Sequence, residues 1–159
     1  MLLTNHTLTG AAIALTLKQP ALIVPVAFAS HFILDSTPHF GGEDLDIRRP
    51  YPGSLRKLLQ PLDARIAFTD CLVSLTVAVT CAYIWPQYFW ALVAGIFFAT
   101  LPDLLYILRY IMEIKFWEPL FRFHDRIQQH RWSETYWGSI TEIIWASGMM
   151  YVLSGFLAR

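Results

Sequence analysis

The chain has 159 residues, 55 % of them hydrophobic and only 15 % charged, with twelve Lys plus Arg against twelve Asp plus Glu. That charged fraction is well below the quarter usual in soluble domains, and six tryptophans suit membrane–water interfaces. Zero net charge excludes the basic footprint of a nucleic-acid binder, and the length fits one domain, read here as a single membrane domain over 1–159.

The first apolar segment is Leu8–Leu17, closed by "KQP". The basic n-region of a signal peptide is missing, and Lys18 with Pro20 interrupts the apolar run, so cleavage after "AFAS" at 27–30 is not expected. Pro20 suits the first turn of a second helix, Pro20–Ser36, with Pro25 predicted to kink it. Both segments fall short of the roughly 20 residues of a full span and read as a short helical hairpin. Residues 40–61 form a polar loop with an interfacial turn at Ser54–Leu59. Ala64–Ile84 is long enough to span, "WPQ" at 85–87 turns the chain, and Tyr88–Leu108 returns. Residues 109–135 mix charge with aromatics and read as an amphipathic stretch along the interface. Trp137–Leu157 is the last apolar run. The fold class is therefore all-α: an integral membrane bundle of about five apolar helices, a short N-terminal hairpin plus three longer spans, with an interfacial amphipathic helix.

Basic residues set the orientation. Arg48, Arg49, Arg56 and Lys57 fall in the first polar loop, and Arg109, Lys115, Arg122, Arg126 and Arg131 in or beside the second. The other side offers Lys18 and Arg159. Both loops are expected to face the cytoplasm of a bacterial-type inner membrane. Cys71 and Cys81 lie ten apart in one apolar run, without metal-type spacing, and read as buried small hydrophobes.

Ionisable residues inside apolar segments are costly in a membrane and mark function. Here they are His6, His31, Asp35, His39, Asp70, Asp103, His124 and Glu142. Counting from the "KQP" turn puts His6 and His31 at one height, and counting from "WPQ" puts Asp70 and Asp103 nearly level. Glu142 lies near the same end of the last segment. One layer of imidazoles and carboxylates without thiolates suits zinc, manganese or iron, as one or two divalent ions. Singly, each has a plainer reading. His31 and Asp35 are an ordinary i,i+4 pair, His39 a residue favoured at a helix C-terminus, and His6 an interface residue. Asp70 and Asp103 have Arg65 and Arg109 as alternative partners, and "LPD" at 101–103 reads also as a kinked helix end with a solvated Asp. His130 reads as an interface residue.

The motifs "NHTLTGAAIA", "SHFILDSTPH" and "LPD" resemble the bacterial inner-membrane proteins regarded as metal-dependent hydrolases of the LexA-regulated type. More distantly they are similar to zinc-dependent phospholipase C and its single-strand nuclease relatives, all-helical phosphoesterases. That resemblance implies metal ligation by His6, His31, Asp35, His39 and Asp103. Leu105 stands where the family places a second acid, its "HRG-x-THS" motif is absent, and Pro38 comes one residue early. His124, Asp70 and Glu142 rest on the layer alone.

The leading expectation is a membrane-embedded hydrolase in which a metal-bound hydroxide cleaves a lipid or lipid-linked phosphoester. Asp70 or Glu142 would complete a shell or act as general base, and Arg126 and Arg131 would hold the anionic head group. The alternatives are a non-catalytic protein with a structural metal or polar cluster, or a divalent-cation carrier. A carrier site belongs near the midplane, away from this layer.

Overall fold

The computed structural model describes residues 1–39, 61–112, 116–127 and 136–157, and among them every regular element is helical. Helices α1 (Leu3–Leu17) and α2 (Pro20–Asp35) make the first hairpin. Next come α3 (Pro61–Ile84), a 3-10 turn at Pro86–Tyr88 and α4 (Phe89–Met112), then α5 (Glu118–Ile127) and α6 (Tyr136–Leu157). The predicted loop through residue 60, with its Ser54–Leu59 turn, lies outside the described residues.

Arg65–Ile84, Pro86–Leu105 and Tyr136–Leu157 are each long and apolar enough to cross a membrane. Their outward faces carry exposed Phe68, Leu75, Val79, Ile143, Ile144 and Met150, whereas Asn5, His6, Thr7, His31, Asp35 and Glu142 are buried. Apolar outside and polar within is the reverse of a water-soluble fold, and it fits a membrane protein.

The shortest of the five apolar helices sits at the centre. α1 packs against α2, α3, α4 and α6. Its small residues Gly10, Ala11, Ala12 and Ala14 let neighbouring backbones come close, the usual device of helix packing in lipid. The closest approach is to α4: a Cβ built on Gly10 would lie 2.5 Å from the Gly95 carbonyl oxygen. Hydroxyls supplement this packing. Thr7 Oγ1 lies 2.6 Å from Ser74 Oγ of α3, and Trp145 Nε1 of α6 donates to Thr9 Oγ1 at 2.9 Å.

α1 stops at Lys18, a non-glycine residue in the left-handed region (φ 59°) whose N–H caps the Ala14 carbonyl. Pro20 then opens α2. Lys18 Nζ stands 5.0 Å above the Tyr88 ring, so the "KQP" and "WPQ" turns share one end of the bundle. Twelve residues of α1 separate Lys18 from His6, a rise of about 18 Å, which carries the histidine to the other end.

The structure corrects several boundaries. α1 begins at Leu3, five residues before the predicted start, because side chains from other helices satisfy its first N–H groups. α4 continues to Met112 through Pro102, and α2 runs unbroken through Pro25. Cys81 is buried as expected, but Cys71 is exposed on the apolar surface. Of the amphipathic stretch, Glu118–Ile127 is helical.

Candidate metal centre

α2 supplies the first pair. His31 and Asp35 stand one turn apart on its inner face, both fully buried, with His31 Nε2 3.2 Å from Asp35 Oδ2. α4 supplies the third donor and an orienting group. The Ala99 carbonyl accepts a hydrogen bond from His31 Nδ1 at 2.9 Å, and Asp103, one turn on, brings Oδ1 to 3.7 Å from His31 Nε2. With its proton held on Nδ1, His31 presents the Nε2 lone pair to the cluster, the arrangement typical of a metal-bound imidazole. Pro102 removes one backbone donor from this stretch of α4, directly before Asp103.

α5 closes the group. His124 is buried, with Nε2 3.0 Å from Asp35 Oδ2, 3.2 Å from His31 Nε2 and 3.9 Å from Asp103 Oδ1. One donor atom each from His31, Asp35, Asp103 and His124 all fall within 4.8 Å of one another. Ligands about 2.1 Å from a tetrahedral zinc stand about 3.4 Å apart, and the separations here bracket that value. The donor set and its spacing therefore fit a divalent cation. Phe32 packs edge-on to His31 and against Phe123 of α5, shielding the group with apolar surface.

From α1, His6 reaches the other side of the same acids. Its ring stacks on His31 at 4.2 Å between centroids, and its Nε2 lies 3.2 Å from Asp35 Oδ1 and 3.9 Å from Asp103 Oδ2. His6 is fully buried, and its Nδ1 has no hydrogen-bond partner among the described residues. The Met1 ammonium sits 2.7 Å from Asp35 Oδ1.

Asp70 and Glu142 belong to the same layer but have other partners. Asp70 accepts from the N–H groups of Leu3 (2.7 Å) and Thr4 (3.0 Å) and from the Thr4 hydroxyl. Glu142 accepts from the Leu2 N–H at 3.0 Å and from the Asn5 side-chain amide. Both carboxylates thus cap the N-terminus of α1, where free N–H groups and the helix dipole favour negative charge. His39 is buried just beyond α2 and donates from Nδ1 to the Thr37 carbonyl at 2.7 Å. Burial, and next the Met1 ammonium, push His39 down to about 4. Arg126 is exposed on α5, lining an open groove of about 420 Å³ with Glu118, Pro119, Arg122 and Phe123. Arg131 and His130 lie outside the described residues.

Sequence reasoning gave Thr4, Asn5, Ser74 and the Ala99 carbonyl no role. The polar run "TNHT" at residues 4–7 carried a signal for the first two, since four consecutive polar residues opening an apolar helix need buried partners. Compared with protein-family models, curated proteins and solved structures, the chain matches none of them.

Proposed function

We propose that the protein is a membrane-embedded, metal-dependent hydrolase acting on a phosphoester of a lipid or lipid-linked substrate at the cytoplasmic face. One observation carries the reading: a buried imidazole–carboxylate cluster whose sole half-open member among His31, Asp35, Asp103 and His124 is Asp103, its side chain 27 % exposed. A partly exposed ligand gives water or substrate a route to the ion, which a fully enclosed site would lack. The cluster also lies toward the end of the bundle opposite the "KQP" and "WPQ" turns, since His6 stands twelve residues of α1 away from Lys18. A lipid head group reaches that depth without its chains leaving the bilayer, and the position disfavours a carrier site at the midplane.

A divalent ion in this cluster supplies Lewis acidity to a phosphoryl oxygen and brings a water pKa to about 7. The chain's residues do the rest. His31 and His124 offer Nε2 donors, and the Ala99 carbonyl keeps the His31 ring in its ligating tautomer. Asp35 and Asp103 would complete the donor set, with Asp103 at the open edge where substrate enters. Net hydrolysis adds the hydroxyl of water to phosphorus, breaks the P–O ester bond and returns the proton to the departing alkoxide. Arg122 and Arg126 on the exposed face of α5 supply positive charge for the anionic substrate.

The test is turnover of bis(p-nitrophenyl) phosphate and of phospholipid vesicles by purified protein in detergent, with zinc or manganese added and then chelated. Hydrolysis that needs the metal and disappears in His31→Ala supports the reading. Bound metal without turnover of either substrate overturns it in favour of a structural role. The Met1 ammonium, already paired with Asp35, is the observation on that side.

A further inference from the structure

The two acids at the centre of the cluster each divide their oxygens between two sides. Asp35 turns Oδ2 toward His31 (3.2 Å) and His124 (3.0 Å), and Oδ1 toward His6 (3.2 Å). Asp103 repeats the division, with Oδ1 toward His31 (3.7 Å) and His124 (3.9 Å) and Oδ2 toward His6 (3.9 Å). A single ion needs only one oxygen of each. On the second side, His6 is fully buried, with Nε2 turned to the Asp35 and Asp103 carboxylates and Nδ1 without a hydrogen-bond partner among the described residues. An ion at Nε2 would bind the one His6 nitrogen that faces both carboxylates.

We infer that the centre holds two divalent cations bridged by Asp35 and Asp103, the first ligated by His31 and His124 and the second by His6. This rests on the metal-dependent reading above and extends it to a second ion position. Two carboxylates that each bridge a pair of ions set them about 3.5–4 Å apart, the spacing that serves both the attacking and the leaving oxygen of a phosphoryl group. The second position has three protein donors, His6 Nε2, Asp35 Oδ1 and Asp103 Oδ2, which leaves room for water or substrate. A cation already stands on that side: the Met1 ammonium lies 2.7 Å from Asp35 Oδ1 and must yield to the second ion.

The experiment is manganese titration of the detergent-purified, chelator-stripped full chain, read by bound metal per chain and by electron paramagnetic resonance. Two ions per chain with an exchange-coupled spectrum are expected. His6→Ala should weaken the second ion at least 100-fold and leave one uncoupled ion, while His124→Ala should weaken the first. One ion per chain in the unaltered protein, or two uncoupled ions, overturns the inference. This spectrum alone decides, so a variant that fails to fold does not protect the idea. Two coupled ions without phosphoester turnover overturn the hydrolase and leave the pair standing; one ion with turnover does the reverse.

Discussion

Two pairs of acids surround the same end of α1 and do different work. Apart from the Thr4 hydroxyl beside Asp70, the contacts described for Asp70 and Glu142 are with backbone and amide N–H groups, which only ever donate. Asp35 and Asp103 face imidazole nitrogens, which donate or accept according to where the proton sits. A carboxylate among fixed donors is satisfied and anchors a helix. One among switchable nitrogens builds a donor set that fits a metal ion. The residue type is the same in both pairs, and the partner decides the role.

That contrast breaks first at Asp35. Asp35→Asn should lower metal affinity by more than 100-fold, beyond the range seen for orienting residues, and should also lower the melting temperature of the metal-free protein, because the buried Met1 ammonium loses its charged partner. Equilibrium dialysis and thermal melts check the two halves. Gly10→Ala should disturb both pairs together, because the added methyl meets the Gly95 backbone and pushes α1 outward. Overpacking of this kind costs about 1–3 kcal/mol, read as a lower melting temperature together with weaker metal binding. Asp70→Ala should leave the N–H groups of Leu3 and Thr4 without their acceptor at a cost of about 1–3 kcal/mol. Asp70→Asn, which keeps one acceptor oxygen, should recover part of the loss, and folded Asp70→Ala should still bind metal; a loss of metal comparable to Asp35→Asn would erase the distinction. The smallest effect is expected at Arg126. Arg126→Gln removes one exposed charge worth about 1 kcal/mol toward anionic lipid, seen as a severalfold rise in KM with kcat unchanged.

How much of this the sequence displays depends on what kind of atom makes the contact. The five apolar runs are legible because burial in lipid writes itself into side chains, and their ends shift only where a partner lies elsewhere. His31 and Asp35 share a face by spacing, and Asp103 joins them by depth. His124 is legible from depth alone, since nothing in "FHDRIQQH" says that α5 folds back onto α2. The capping contacts are illegible for a different reason: every residue but proline carries the same N–H, so no pattern marks Leu2, Leu3 and Thr4 as the donors that Glu142 and Asp70 meet. The first turn of α1 is hidden with them. Depth predicts that Asp70 and Glu142 come near the layer, but it does not distinguish an anchor from a ligand or a base.

The dependence of α1 on Glu142 has a consequence for biogenesis. The Leu2–Glu142 contact joins positions 140 apart in the chain. During synthesis the first helix emerges long before the last, so Asp70 of α3 can meet the Leu3 and Thr4 N–H groups while the Leu2 N–H and the Asn5 amide still wait for Glu142.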